Sequence, residues 1–105
     1  MEGYQLTFFT QQDHRHSGQP LGEWLVQTAR QLGVGGATLI LAAEGFGRHG
    51  RLHAAHFFEL PDQPVEVTMA VSEGEAQRLF QRLRDEQVNV FYIKVPIEYG
   101  VIGED

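Results

Sequence analysis

Apolar and polar positions change their period along the chain, and the period names the element. Tyr4, Leu6 and Phe8 alternate with Gln5, Thr7 and Phe9, the two-residue repeat of a strand. Residues 11–19 are polar, with Asp13, His14, Arg15, His16, Ser17 and Gly18, and predict a loop that leads into a helix. Pro20 suits the first helical position because its φ is preset. Leu21, Trp24, Leu25, Thr28, Ala29 and Leu32 then repeat as one buried helical stripe, and Gly33 suits a left-handed cap. Residues 37–43 form a short branched run between glycines and predict the second strand. Residues 53–60 are aromatic and extended in character and admit a further short strand, before a turn at Pro61-Asp62-Gln63-Pro64. Val65, Val67, Met69 and Val71 alternate with Glu66, Thr68 and Ala70 as another strand. Ser72 and Glu75 form a capping box, with Val71 placed to staple against Ala76, and Ala76, Leu79, Phe80 and Leu83 carry the second helix. Residues 90–95 predict a final strand closed by Pro96, and residues 99–105 an acidic tail.

The order is βαββαβ, an α+β ferredoxin-like arrangement whose two helices cover one face of an antiparallel sheet. The other face has no cover of its own. Its strands are nevertheless apolar on both sides, with Phe9 opposite Tyr4, Leu6 and Phe8, and Ile40 and Ala42 opposite Leu39 and Leu41. A patch of that kind predicts a homo-oligomer whose sheets bury their open faces together.

Length and charge narrow the partners. A chain of 105 residues predicts a single domain, residues 1–105. With no cysteine it has no disulfide framework, thiolate metal site or cysteine nucleophile, which fits a cytoplasmic protein. Eight basic against fourteen acidic side chains leave a net charge of -6, which disfavours nucleic acid and anionic membrane. No apolar run approaches the roughly 20 residues that span a bilayer, and residues 1–10 do not read as a signal peptide.

Twelve glycines are the compositional oddity, several of them between Gly33 and Gly50. Gly45-Phe46-Gly47-Arg48-His49-Gly50 is a literal G-x-G-x-x-G after a predicted strand. The dinucleotide motif needs a helix N-terminus beside its last glycine to hold pyrophosphate, and residues 51–60 lack a helical stripe. Two other readings fit the segment. It is a hairpin loop whose glycines permit left-handed turns, or an anion-binding nest of backbone amides with Arg48, His49 and Arg51.

Gly33-Val34-Gly35-Gly36-Ala37-Thr38, followed by Glu44-Gly45-Phe46-Gly47-Arg48-His49-Gly50, resembles the second strand and T-loop base of the PII nitrogen-signalling proteins. The whole chain, including His16-Ser17-Gly18-Gln19-Pro20-Leu21 and Ala29-Arg30, is more similar still to the PII-like family called domain of unknown function 190. This resemblance implies a ferredoxin-like homotrimer that binds adenine nucleotide (ATP, ADP or AMP) in clefts between subunits and signals by loop conformation. Carried across, Thr38, Gly45, Phe46, Gly47 and Arg48 match nucleotide-contacting positions, and residues 44–53 match the T-loop. Two departures remove most of the phosphate charge partners. Asp85-Glu86-Gln87-Val88-Asn89 lacks the Gly-Asp-Gly-Lys of PII proteins, and Ile97-Glu98-Tyr99-Gly100 stands where arginines follow their last strand. The loop is also shorter and carries no tyrosine for uridylylation.

Histidine offers a second chemistry. His14-x-His16 or His53-x-x-His56 would each supply two imidazole ligands for a divalent metal, and PII-like relatives include the metal-tolerance family CutA. Loop and interface roles are the plainer reading of the same residues. A serine triad would rest on Ser17 with neighbouring His and Asp13, crowded on one loop, so the chain is not expected to be an enzyme. The same topology serves RNA-recognition modules, but their basic-aromatic strand signature is missing. The expectation is a PII-like regulatory protein binding a small anionic ligand. A metal protein, or a module that docks a membrane or enzyme partner through residues 44–53 without a ligand, are the alternatives.

Overall fold

The N-terminal alternation forms β1 (Glu2–Gln11), in which Leu6 and Phe8 are completely buried while Gln5 is exposed. The structure is a computed structural model that describes residues 1–42, 44–46, 52–54 and 63–104, the two short stretches by backbone only. The polar segment after β1 folds into a small hairpin rather than a plain loop: β2 (Arg15–His16) pairs with β3 (Gln19–Pro20). Its two central residues, Ser17 and Gly18, have φ of 52° and 80°, the double positive φ that a primed type I turn requires. Pro20 is therefore not the first helical residue. Its pairing with Arg15 holds it extended, with ψ 137°, as the N-cap of α1 (Leu21–Gln31). The Leu21 N–H, one of the orphan donors of that helix end, donates to the His14 carbonyl at 2.7 Å.

α1 buries Leu21, Trp24, Leu25, Thr28 and Ala29, the stripe expected from the sequence. Gly33, with φ 84°, ends it in a Schellman motif, with Gly33 N–H on the Arg30 carbonyl and Val34 N–H on the Ala29 carbonyl. The chain continues through β4 (Thr38–Leu41), β5 (Glu44–Phe46), β6 (Leu52–Ala54), β7 (Pro64–Val71), α2 (Glu73–Asp85) and β8 (Phe91–Glu98). β6 falls at the start of the region expected to be extended, and residues 55–62 lie outside the described residues. The capping box of α2 is complete: Ser72 N–H donates to Glu75 Oε1 at 2.7 Å, and Glu75 N–H donates to Ser72 Oγ at 3.1 Å. Pro96 does not close the last strand, which runs through it to Glu98. Among the described strands β8 pairs only with β1, so a residue without an N–H fits on its other edge.

Four strands form one antiparallel sheet in the order β4-β7-β1-β8, the ferredoxin-like arrangement. One face packs Leu6, Phe8, Val65, Val67, Met69 and Val71 against the apolar stripes of both helices. Gly22 lets α1 approach this face closely, since a Cβ there would sit 3.0 Å from Val65 and 3.1 Å from Leu39. The opposite face has a polar centre and an apolar surround. Thr38, Thr68, Thr7 and Ile93 form one cross-strand row, and Ile40, Glu66, Phe9 and Phe91 the next. The Thr7 and Thr68 hydroxyls share a hydrogen bond at 3.3 Å. Ile40, Ile93 and Val95 each keep 44% of their surface in solvent, and Phe91 keeps 52%.

Candidate functional site

The glycine-rich segment leaves the sheet as a ribbon. Ala42 N–H still donates to the Pro64 carbonyl at 2.8 Å, and among the described strands β5 and β6 then pair only with each other, Gly45 opposite His53 and Phe46 opposite Leu52. The first glycine of G-x-G-x-x-G thus lies in a strand, and the element after the motif is β6 rather than a helix. Among the described residues no helix starts beside the motif, so pyrophosphate binding in the dinucleotide-fold manner has no helix N-terminus there to use. Gly47, Arg48, His49, Arg51 and His56 lie outside the described residues, and Gly45, Phe46 and His53 are described by backbone alone. Thr38 is exposed at the first position of β4 on the open face, opposite Thr68. Six residues lie between it and Gly45, so the two are up to about 23 Å of extended chain apart.

Two of the four candidate metal ligands are engaged within the fold. His14 Nδ1 lies 3.0 Å from Thr10 Oγ1, and its carbonyl holds the start of α1. His16 Nε2 lies 3.0 Å from Glu86 Oε1, and its ring meets Trp24 edge-on with centroids 4.4 Å apart. The β2–β3 hairpin is in this way fastened to α1 and to the C-terminal cap of α2. Among the described residues no three His, Asp or Glu side chains converge as a metal site.

A cluster that the sequence pattern did not single out lies between α2 and β8. Tyr92, Lys94 and Pro96 point to the helix side of this edge strand. Phe80 packs against Tyr92 with ring centroids 4.8 Å apart, and Lys94 Nζ sits over the Tyr4 ring at 4.1 Å. Hydrogen bonding from Tyr4 and from Gln77 Nε2, which donates at 3.1 Å, holds the Glu73 carboxyl below its usual range, helped by the Lys94 charge. The same contact with Glu73 raises the Tyr4 hydroxyl above its ordinary value. A groove of about 390 Å³ opens beside the cluster, with Phe80, Leu83, Val90 and Tyr92 as walls and Arg84 and Lys94 as cations. Its sequence signal is an interleaving: Val90, just before β8, and Tyr92 and Lys94 on it alternate against the helical spacing of Gln77, Phe80 and Arg84.

Residues 3–93 match the family described as Uncharacterized ACR, the domain of unknown function 190. The chain belongs to this family. An Aquifex aeolicus relative, a UPF0166 protein, is 27% identical over 97 residues, which cover 84% of this chain and 92% of that one. A Thermus thermophilus structure described as a PII-like signaling protein superposes with a TM-score of 0.61 at 23% identity, covering 92% of this chain and 87% of its own. CPII from Thiomonas intermedia, a nitrogen regulatory PII-like protein bound to ADP, AMP and bicarbonate, gives a TM-score of 0.66 at 19% identity. That superposition covers 95% of this chain and 97% of CPII. At these identities the likeness establishes a shared fold, and this member of the family has the PII-like form of the ferredoxin-like sheet. No helix among its described residues is long and apolar enough to cross a membrane.

Proposed function

We propose that this chain is a PII-like signalling protein that assembles as a homotrimer and binds a small anionic ligand, an adenine nucleotide, beside residues 44–53. The observation that carries the reading is the near full-length likeness to CPII, a protein with ADP, AMP and bicarbonate bound. Two features of this chain support it. In sequence Arg48, His49 and Arg51 fall between β5 and β6 in a protein of net charge -6, so an anion there meets local positive charge against a repulsive background. Assembly is supported by the half-exposed apolar residues of the open face and by two sheet edges, β4 and β8, at opposite ends, which no further described strand pairs. Each copy offers one edge of either kind, and head-to-tail pairing of unlike edges closes a ring. In this reading the chain binds and relays, without catalysis, and the ribbon carries the contact with a regulated partner.

The test is calorimetric titration with ADP, AMP and ATP alongside thermal unfolding. The expected result is a raised melting temperature with an adenine nucleotide, since a ligand of the folded state alone must stabilise it, and weaker binding in Arg48→Ala with the assembly intact. A rise with zinc or copper but not with nucleotide overturns this reading in favour of the histidines. No rise with either leaves a docking module without a ligand.

A further inference from the structure

We propose that the groove between α2 and β8 receives residues 101–104 of a second copy of this chain. Among the described residues the two surfaces lack partners in complementary ways. Beyond β8 the backbone is tied down once more, where Tyr99 N–H donates to the Met1 carbonyl at 2.9 Å and the Met1 ammonium donates to the Tyr99 carbonyl at 2.9 Å. The next residues project from the molecule: Val101 is 61% exposed, Ile102 is wholly exposed, and Glu104 follows them into solvent. Two bare aliphatic side chains followed by a carboxylate match apolar walls with a cation at either end.

The groove supplies both properties. Phe80, Leu83, Val90 and Tyr92 give the apolar surface. Arg84, in the last turn of α2, makes no ion pair with any described residue, and Lys94 rests on the Tyr4 ring. Lengths agree as well. Residues 90–94 run along the groove for about 17 Å of extended chain, and four extended residues reach about 13 Å, enough to cover most of it. The turn at the tail is held by one long hydrogen bond, Glu104 N–H to the Val101 carbonyl at 3.3 Å, so straightening it costs little.

Charge decides against the chain's own tail. A second recess lies between that tail and the groove, lined by Glu2, Glu73 and Glu98 at the far end of β8. An acidic segment folding back along its own strand would have to cross those three carboxylates. A tail from another copy enters the groove from outside this chain and avoids them. Docking needs two copies in contact but neither the nucleotide nor burial of the open face.

Because the chain has no cysteine, single introduced thiols report the contact cleanly. Ile102→Cys chains are mixed with Gln77→Cys chains, whose thiol lies in the groove, and oxidised; Gln27→Cys, exposed on α1, is the control. The expected result is a crosslink between the two chains about tenfold more abundant than with the control, the effect of a docked over a random encounter. Arg84→Glu in the Gln77→Cys chain should remove that excess. Equal yields for groove and control in a protein that self-associates overturn tail docking while leaving the homotrimer standing. Equal yields in a monomeric protein overturn both. In a chain carrying both thiols, a disulfide closed within one molecule at high dilution assigns the groove to the chain's own tail and also overturns the proposal.

Discussion

At the scale of single residues, the two helix C-termini solve one problem differently. α1 ends with glycine at φ 84°, whereas α2 places Gln87 at φ 57° in the same Schellman pattern, Gln87 N–H on the Arg84 carbonyl and Val88 N–H on the Leu83 carbonyl. A side chain there carries steric strain that glycine lacks. Gln87→Gly should therefore stabilise the fold by about 0.5–1 kcal/mol after allowing for the looser unfolded chain, read as a higher midpoint in urea. A second residue-scale consequence comes from Glu73, whose carboxyl is held low chiefly by the Tyr4 hydroxyl. A depressed carboxyl contributes stability that is present above its unfolded pKa and fades as pH falls through the folded one. Tyr4 is the reverse case: raised in the fold, it contributes below its unfolded pKa and loses the contribution as pH climbs through the folded value. In Tyr4→Phe the Glu73 titration, followed by carbonyl NMR, should move up toward the ordinary range. It should stop short of it, because Gln77 and Lys94 remain. An unmoved titration would assign the shift to those two instead.

At the scale of elements, closeness of approach is set at glycines. A Cβ at Gly3, on β1, would run into the carbonyl oxygen of Val71 on β7 and crowd Tyr99. Since the obstacle is backbone, Gly3→Ala should cost roughly 2–3 kcal/mol, measured by denaturant unfolding, through a local widening of the sheet. A cost below that of an ordinary surface substitution would mean the strand end frays instead. The elements themselves were legible wherever their cause is local. Both helical stripes, the Ser72–Glu75 box and the alternation of β7 depend on residues within a turn or two of each other. Pro20 and Pro96 were misplaced because their positions are decided by partners: Arg15 holds Pro20 extended, and β8 continues past Pro96 because Tyr4 and Glu2 of β1 lie alongside. The His16–Glu86 contact spans 70 positions of sequence, and nothing near either residue announces it. The groove beside Phe80 and Tyr92 is hidden for the same reason, since it exists only once an edge strand is laid beside a helix. Of the candidate site, the strand at Thr38 was readable, whereas Gly45 and Phe46, read as loop, lie in β5 because Leu52 and His53 pair with them, and the placement of Arg48 and its neighbours lies outside the described residues.

At the scale of the whole molecule, the sheet is finished on one face only. The helix side contains the wholly buried Leu6, Phe8, Val67 and Val71; the other leaves Ile40, Phe91, Ile93 and Val95 about half in solvent around the threonine row. Fold stability and assembly are therefore separable by substitution, because a residue on the open face contributes little to the core of its own chain. Ile93 is the sharpest probe, being directly opposite Thr7 and the apolar end of the threonine row. Full burial of such a side chain between copies is worth about 1.5–3 kcal/mol, and a carboxylate in its place would be buried without a partner. Ile93→Asp should leave the melting transition of the single chain nearly unchanged, as surface substitutions commonly do, while sedimentation at micromolar concentration reports the mass of one copy. If the variant sediments as the parent protein does, the open face is not where copies meet, and the unpaired edges of β4 and β8 alone would have to hold them. If instead it unfolds, the open face contributes to the chain's own core, and the half-exposed apolar ring is a structural layer rather than a contact surface.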